Sequence, residues 1–297
     1  MRVFIPFIFL AKSLLFSQDT FSIVAVDTLT GEVGSAGASC IAGSIIISDI
    51  HPGVGAVHTQ SYWNQSNQDS ASALMDLGYS PEEIIDWLVS NDAQNNPSIR
   101  QYGIVDLIDG GRSAGFTGVN CFDFKNHVLG QTYAIQGNIL LGQEILDDME
   151  FAFTTTFGTF EEKLMASLMA ANVPGADTRC LEYGIPALSA FIRIAEPEND
   201  TDSLFLDLNV NSAPINVNPM DSLYIDYWSW KRNQIIVGDI NFDRKIDLLD
   251  LTILIGFTNG IGTPTDLEIE TGDLSGNGSL GLIDIYLLVH EIIGVTG

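Results

Sequence analysis

Oxygen-bearing side chains recur at a regular spacing near the C-terminus and could together bind a hard cation. From Asp239 to Asp250 they fall at positions 1, 3, 5, 9 and 12 of a loop, and position 7 offers its main-chain carbonyl. Ca²⁺ prefers about six to eight oxygen ligands, which this spacing wraps around one ion. The predicted ligands of this segment, here called calcium loop 1, are Asp239, Asn241, Asp243, Lys245 through its carbonyl, Asp247 and Asp250.

The same register recurs from Asp273 to Asp284, which we call calcium loop 2. Its predicted ligands are Asp273, Ser275, Asn277, Ser279 through its carbonyl, and Asp284. Two ordinary acidic turns are the alternative, but one register met twice favours two calcium sites. Loop 1 offers four carboxylates and loop 2 offers two, so loop 1 is predicted to bind calcium more tightly. Position 6 of loop 1 is Arg244 rather than glycine, and backbone strain is expected there.

Other polar groups earlier in the chain give weaker signals. The segment 111–115 satisfies the GxSxG pattern, but its serine opens a predicted strand, whereas a nucleophile elbow needs a strand followed by a helix. The four histidines are too scattered to predict a metal site. A further set of polar residues at strand ends could line a cleft or could equally cap strands and turns. These residues are His58, Gln60, Asn64, Gln136 and Asn138.

The chain is strongly acidic, and this excludes several classes of partner. Its 38 Asp and Glu against 12 Lys and Arg give a net charge of −26, which repels nucleic acids and anionic lipid surfaces. With 46% hydrophobic residues among 297, the chain can still build one large core or two smaller ones. We therefore expect a folded protein that binds no nucleic acid.

The first residues have the composition of a secretory signal peptide. Arg2 is followed by a short apolar run and then by the small residue Ser17 before a polar turn. We expect a signal peptide over 1–17 and a secreted or cell-surface protein. No later run is long and apolar enough to cross a bilayer, so an integral membrane protein is not expected. The three cysteines allow one disulfide and one free thiol, and their spacing leaves the pairing open.

Hydrophobic periodicity places these residues on groups of strands and helices. Strands are predicted over 20–27, 32–39, 44–48, 53–60, 102–107, 113–117, 133–136, 186–194 and 203–210. Helices are predicted over 69–77, 80–90, 143–153, 159–171, 219–231, 248–256 and 282–293. Strands gathered between pairs of helices indicate a layered α+β protein, with helices covering two stacked sheets.

Several sequence blocks resemble the DUF1028 family. They include TFSIVAVDTLTGEVGSAGASC over 20–40, RQYGIVDLIDGGRSAGFTG over 100–118 and GADTRCLEYGIPALSAFIRI over 175–194. Together with blocks at 51–64 and 132–140, they extend from about Thr20 to the helix near Trp230. The resemblance implies an Ntn-hydrolase-like domain, a four-layer αββα sandwich, over residues 18–232. The name of the family states no function.

That resemblance implies one candidate catalytic residue. Ntn hydrolases use the side chain of an N-terminal Thr, Ser or Cys as the nucleophile and its own α-amine as the base, and Thr20 begins the first predicted strand. Cleavage after Ser17 would leave two residues in front of Thr20, and no lysine lies between Lys12 and Lys125 to assist it. Thr20 is therefore either the nucleophile of an amidohydrolase or simply the first β-branched residue of a strand.

The C-terminal segment resembles a type I dockerin. The resemblance rests on a leading Gly-Asp, an aspartate at position 12 and a helix only after each loop, and it covers about 236–294. It implies a small all-α domain over 236–297, calcium as the cofactor and a cohesin-like partner. Two functions remain open: a secreted amide or peptide hydrolase docked through this tail, or a non-catalytic binding or structural module of a surface complex. The sequence identifies neither a substrate nor an oligomeric state.

Overall fold

The computed structural model describes residues 20–294, which form ten β-strands and eight α-helices. The strands are β1 (Phe21–Asp27), β2 (Glu32–Ser39), β3 (Ser48–His51), β4 (Gly55–Ser61), β5 (Arg100–Asp106), β6 (Arg112–Thr117), β7 (Asn126–Gly130), β8 (Tyr133–Gly137), β9 (Ser189–Ala195) and β10 (Leu206–Val210). The helices are α1 (Gln65–Asp76), α2 (Pro81–Ser90), α3 (Glu144–Thr155), α4 (Phe160–Ala170), α5 (Pro219–Arg232), α6 (Leu248–Thr258), α7 (Asp266–Gly272) and α8 (Leu282–Ile292). The predicted signal peptide lies outside the described residues.

The strands form two antiparallel sheets that stack face to face. One sheet has six strands in the order β10-β9-β2-β1-β8-β7, and the other has four in the order β3-β4-β5-β6. β1 lies in the interior of the larger sheet, where it pairs with β2 on one side and β8 on the other. Across the interface between the sheets, β1 packs on β4 and β5, and β7 packs on β6.

The residues of β1 explain this layering. Phe21 and Ile23 lie in the core that the larger sheet shares with its helices, whereas Val24 and Val26 lie in the core between the two sheets. Because both faces of the strand are covered, its apolar residues form a nearly continuous run instead of alternating with polar residues. The strand is therefore specified as an interior one by its own sequence.

Helices cover the two outer faces of the sheets. α1 and α2 pack on the smaller sheet, and Met75 and Leu88 contribute to the core beneath them. α3, α4 and α5 pack on the larger sheet, where Met149 and Leu164 are buried. The result is the expected four-layer αββα sandwich.

The C-terminal segment forms a small helical module with a core of its own. Ile240, Leu254 and Leu288 are buried at its centre, and α6 packs against α8. The fold class is therefore α+β with an all-α C-terminal region, as predicted. Between residues 20 and 294, none of the helices combines the length and the apolar character that crossing a bilayer requires.

The structure corrects some of the predicted elements. The strand predicted over 44–48 is wrong, because Ser44–Ile47 forms a 3-10 helix after Gly43, whose φ is 77°. This short helix lies in the connection that carries the chain from β2 in the larger sheet to β3 in the smaller one. β3, β7 and α7 have no counterpart among the predicted elements. The β7 sequence NHVLG has too few apolar residues to stand out as a strand.

A disulfide joins two distant parts of the sandwich. Cys40 and Cys180 are bonded, and their Cα atoms lie 5.6 Å apart. The bond ties the end of β2 to the segment that precedes β9. Cys121 is buried and takes no part in the disulfide, and its Sγ lies 3.2 Å from the carbonyl oxygen of Arg100. The pairing that the sequence left open is thereby assigned.

Candidate functional site

The carboxylates at position 1 organise the two calcium loops in the same way. In loop 1, Asp239 accepts hydrogen bonds from the main-chain N–H groups at positions 5 and 6, at 3.1 and 2.8 Å. In loop 2, Asp273 accepts hydrogen bonds from the N–H groups at the same two positions, at 3.0 and 2.6 Å. Each loop is thus wound around its first side chain.

The carboxylates at position 12 close both loops onto the helix that follows. Asp250 accepts hydrogen bonds from the N–H groups at positions 2, 3 and 9, at 2.7, 3.1 and 2.8 Å. Asp284 accepts hydrogen bonds from positions 3 and 9, at 2.9 and 2.8 Å. Both side chains are fully buried. Position 9 is the N-cap of α6 in loop 1 and of α8 in loop 2, so each loop is fixed to the first turn of its helix.

The remaining predicted ligands also bond within their loops. At position 5, Asp243 and Asn277 accept the N–H of position 7, from Lys245 and Ser279, at 3.0 and 2.9 Å. At position 3, the Asn241 side chain accepts the N–H of position 5 at 3.1 Å, and Ser275 donates to the carboxylate at position 1 at 3.2 Å. At position 9 of loop 1, Asp247 accepts the N–H of position 11 at 2.7 Å. The structure therefore places each predicted ligand in a wound loop.

The donors of loop 1 suit a hard cation in their chemistry. All are oxygens, as Ca²⁺ requires. Burial raises the pKa of Asp239 to about 6, and the negative charges of Asp250 and Asp243 also raise it. In loop 2, by contrast, the amide of Gly278 lowers the pKa of Asp273. Anionic oxygens are therefore crowded in loop 1, and a bound cation would relieve that repulsion.

The carboxylates are nevertheless not gathered into a compact group. Among residues 20–294, no three His, Cys, Asp or Glu side chains converge as a ready-made metal centre. The carboxylates of both loops are instead directed at main-chain N–H groups, as described above. A carboxylate oxygen that accepts an N–H keeps further lone pairs, so these side chains can bind an ion while they keep their hydrogen bonds to the loop.

Both loops enter the left-handed backbone region at positions 4 and 6. In loop 2 these positions are Gly276 and Gly278, with φ of 70° and 82°. In loop 1 they are Phe242 and Arg244, with φ of 59° and 67°. Residues with a Cβ atom pay about 1–2 kcal/mol in this conformation. The strain expected at Arg244 is therefore present, and Phe242 shares it.

A layer of polar side chains, rather than an open cleft, lies between the two sheets of the sandwich. Ser22 donates a hydrogen bond to Gln60 at 2.6 Å and accepts one from Gln136 at 2.7 Å. His58 lies between two serines, with Nδ1 2.9 Å from Ser22 Oγ and Nε2 2.5 Å from Ser35 Oγ. All five residues are fully or almost fully buried. Burial lowers the pKa of His58 to about 3, so its imidazole is neutral.

Thr20 lies at the edge of this polar layer, directly before β1. Its side chain is fully buried, and its Oγ1 has no hydrogen-bond partner within the described part of the chain. Its carbonyl accepts hydrogen bonds from the N–H of Asn138 at 3.1 Å and from Gln60 at 3.3 Å. The side chain of Gln101 accepts hydrogen bonds from both of these residues, each at 2.9 Å. The side-chain amides of Gln60, Gln101 and Asn138 thus form a cluster next to the main chain of the residue that the sequence proposed as a nucleophile.

The sequence-derived polar set is only partly gathered. His58, Gln60, Gln136 and Asn138 lie between the sheets, but Asn64 instead caps α1 by accepting an N–H from its first turn at 3.2 Å. The serine of the GxSxG match lies in β6 and donates to a main-chain carbonyl at 2.5 Å, so it forms no nucleophile elbow. Sequence reasoning missed other members of the polar layer. These are Ser22, Ser35 and Gln101, whose signal was a polar residue inside an otherwise apolar or small-residue strand.

The fold and the loops define an α+β sandwich protein that ends in a helical module with two calcium-type loops. The family model described as a family of unknown function, DUF1028, matches residues 20–220, and the chain belongs to this family. The model of the dockerin type I domain matches residues 237–293. Both resemblances drawn from the sequence are confirmed, in the order in which they were predicted.

Solved structures resemble the sandwich to different degrees. Protein SPO2555 from Silicibacter pomeroyi, a DUF1028 protein, is 26% identical with a TM-score of 0.59, and the match covers 71% of this chain and 88% of that chain. Anbu, the ancestral β-subunit from Yersinia bercovieri, is 11% identical with a TM-score of 0.39, over 72% of this chain and 94% of that chain. That second likeness is too low to transfer a fold or a function. A search of curated proteins gives no match.

Proposed function

We propose that this is a secreted protein whose C-terminal module binds two calcium ions and docks the sandwich to a cohesin-like partner. The observation that carries the proposal is the hydrogen-bond pattern shared by the two loops. In each loop the carboxylate at position 1 accepts the N–H groups of positions 5 and 6. The carboxylate at position 12 accepts the N–H groups of positions 3 and 9. The match to the dockerin type I model supports it. We assign 1–17 to a signal peptide, 18–232 to the sandwich and 236–297 to the module.

Exposed apolar residues at equivalent places in the two loops support a protein partner. Positions 10 and 11, which begin each following helix, are Leu248 and Leu249 in loop 1 and Leu282 and Ile283 in loop 2. All four side chains are exposed, and Leu282 is 82% accessible. Tyr286, one turn further along α8, is exposed as well. Exposed apolar side chains grouped at each helix start are typical of protein–protein contacts.

Calorimetric titration of the full chain with Ca²⁺ tests the metal sites. We expect two sites, with the tighter one in loop 1 because it has more carboxylates. Asp239→Ala should weaken the tighter site most, and Asp284→Ala should damage the weaker one. Glu270→Gln changes the same charge at an exposed position on α7 and should leave both sites intact. Two equal sites, or tighter binding after Asp239→Ala, would contradict the charge criterion, and the absence of binding would overturn the assignment of the module.

Binding to a purified type I cohesin, measured with calcium and with a chelator, tests the partner. Leu249→Asp and Ile283→Asp should each weaken the complex, since they place a charge in the proposed contact. Ile261→Asp is the matched control, because Ile261 is also exposed but lies in the turn before α7. Equal losses from all three variants, or binding that persists in the chelator, would contradict a calcium-dependent contact through the helix starts.

A second candidate function is hydrolysis of an amide or peptide bond by Thr20. The observation that favours it is the buried Oγ1 of Thr20, which has no partner within residues 20–294 and lies beside a cluster of side-chain amides. An α-amine freed at this residue would titrate near pH 8, and such an amine can accept the hydroxyl proton. The alternative is a sandwich without catalytic function that binds a ligand or serves as a structural part of a complex.

Mass spectrometry of the mature N-terminus separates these two roles. A mature chain that begins at Thr20 supports the hydrolase, whereas one that begins at Gln18 or earlier excludes it, because a peptide bond then blocks the amine. In an amidase assay, Thr20→Ala should abolish turnover and Thr20→Ser should retain part of it. Unchanged turnover in Thr20→Ala would assign the activity to another residue.

A further inference from the structure

Two carboxylates face each other at one end of the larger sheet. In the register of β2 and β9, Val33 pairs with Ala195, so Glu32 and Glu196 come one residue further along the same register. Like charges placed opposite each other destabilise a strand pair. Glu32 is also buried, which makes an uncompensated charge there costly. This end of the sheet therefore requires a cation.

The positive charge is supplied by an arginine side chain of calcium loop 1. The guanidinium Nη2 of Arg244 lies 2.6 Å from Glu32 Oε1, and its Nη1 contacts Glu196 Oε1. The same guanidinium lies over the ring of Phe205, with 4.2 Å between Cζ and the ring centroid. Charge-assisted hydrogen bonds and a cation–π contact thus hold one side chain of the loop on the sandwich.

A second side chain of the same loop is held nearby. Lys231, at the end of α5, lies with its Nζ 5.4 Å from the centroid of the Phe242 ring. Lys231 is itself buried and paired with Glu161 and Glu162, the former at 3.3 Å. Phe242 therefore rests on an ammonium group that the sandwich holds in place.

The two side chains described above, Arg244 and Phe242, occupy the two strained positions of loop 1. Positions 4 and 6 are Phe242 and Arg244 in loop 1, but Gly276 and Gly278 in loop 2, and all four have positive φ. Glycine adopts a positive φ more easily than a residue with a Cβ atom does, so the glycines of loop 2 suit this backbone better than Phe242 and Arg244 do. Loop 1 thus carries side chains at the positions where they strain the backbone, and both of those side chains contact the sandwich.

We propose that Glu32, Glu196, Phe205 and Lys231 form a receptor surface for calcium loop 1, and that calcium binding and seating of the loop stabilise each other. The inference rests on the calcium binding proposed above. Arg244 connects the two events, because its N–H donates to Asp239 at 2.8 Å while its guanidinium binds the receptor surface. Such coupling is reciprocal, so a change on the sandwich must alter calcium affinity.

Calcium titration of full-length variants tests the coupling. Glu32→Gln lies outside the loop and should lower the affinity of the tighter site about fivefold to tenfold, at the low end of the usual range of coupling between two sites, while leaving the weaker site unchanged. Glu198→Gln is the matched control, because Glu198 is an exposed carboxylate near the same end of the sheet and should have no effect. If Glu32→Gln folds poorly, Glu196→Gln provides the same test.

Arg244→Gln separates coupling from simple electrostatics. This variant keeps a side chain at the strained position and removes a positive charge from the loop, so electrostatics alone would tighten calcium binding. The proposal expects weaker binding instead, and it expects Glu32→Gln to have little further effect in the Arg244→Gln background. Tighter binding in Arg244→Gln, additive effects, or a wild-type affinity in Glu32→Gln would overturn the coupling while leaving the calcium sites standing. Failure of the wild-type chain to bind calcium would overturn both proposals.

Discussion

The guanidinium of Arg100 and the carboxylate of Asp92 form an ion pair that is closed off from solvent. Arg100 Nε lies 2.7 Å from Asp92 Oδ2, and the two side chains are 1% and 0% exposed. Asp92 also accepts the N–H groups of Gln94 and Asn96, each at 2.9 Å. Burial alone raises the pKa of Asp92, but the hydrogen bonds from Arg100 and the amides outweigh it and hold the pKa well below its usual range. The pair fixes the loop between α2 and β5.

Removal of one member of this pair should be severely destabilising. We expect Asp92→Ala to lower the free energy of unfolding by about 3–5 kcal/mol, because it leaves the guanidinium buried without a counter-charge. Asp207→Ala is the control, since Asp207 pairs with Arg193 at 3.3 Å but its side chain is 44% exposed, and exposed pairs contribute little. Denaturant titration measures both losses. Similar losses would contradict the role assigned to burial.

Reduction of the disulfide should destabilise the sandwich. Cys40 and Cys180 are 140 residues apart in sequence, and a bond across so long a loop restricts the unfolded chain strongly, which predicts a loss of about 2–5 kcal/mol. The melting temperature with and without reductant measures it. Cys121→Ser should keep the response to reductant, whereas Cys40→Ser should abolish it. A response that survives in Cys40→Ser would contradict the assignment of the bridge.

Acid should destabilise the protein through His58. Its pKa is lowered by burial and by the charge of Arg193 to about 3, against 6.5 for an ordinary histidine. Between these values the unfolded state binds a proton that the folded state does not, so stability is full above pH 6.5 and falls as the pH approaches 3. The slope is at most about 1.4 kcal/mol per pH unit.

His58→Gln is the variant that checks this assignment, because it removes the titrating ring but keeps polar atoms in the layer. The free energy of unfolding should depend less on pH between 6.5 and 3 in this variant than in the wild type. Both proteins should be measured in chelator, so that calcium does not contribute. Parallel curves would assign the acid sensitivity to other groups.

Gly103→Ala should destabilise the sandwich. A Cβ atom there would lie 1.8 Å from the Oε1 of Gln136, so Gly103→Ala must displace a buried amide of the polar layer. We expect a loss of about 1–3 kcal/mol. Gly256→Ala in α6 is the control, because the nearest atom would be 3.8 Å away and alanine favours a helix by about 0.5–1 kcal/mol. The free energy of unfolding from denaturant titration should therefore fall for Gly103→Ala and rise for Gly256→Ala. Changes of the same sign would contradict the packing argument.

The features that the sequence predicted well are those encoded within a few residues. The start of α2 at Ser80, with its capping box to Glu83, is found as expected, because a cap and its partner are neighbours in sequence. The two C-terminal loops and the helix that follows each of them are likewise encoded within one short register, and calcium binding by them stays a prediction. The strand predicted over 20–27 is found as β1, because its β-branched and apolar residues are neighbours in sequence.

The features that were missed depend on residues far apart in the chain. Arg244 was recognised as unusual, but its partner Glu32 lies 212 residues away, and nothing near Arg244 indicates that contact. The pairing of Cys40 with Cys180 was undetermined for the same reason. Nothing near Ser22 or Ser35 in sequence indicates their role, because their burial against His58 depends on how the two sheets stack.

The strand order also determines when the sandwich can be finished as the chain is made. β1 and β2 are synthesised first and can form a hairpin at once, but their outer neighbours in the sheet are β8 and β9. The larger sheet therefore cannot be completed until β9 and the edge strand β10, which ends at Val210, have been added, and the carboxylate pair at its end meets the guanidinium of Arg244 only later in synthesis. Pairings between such distant segments form slowly. We expect the larger sheet of the nascent chain to stay open until these late segments have been synthesised.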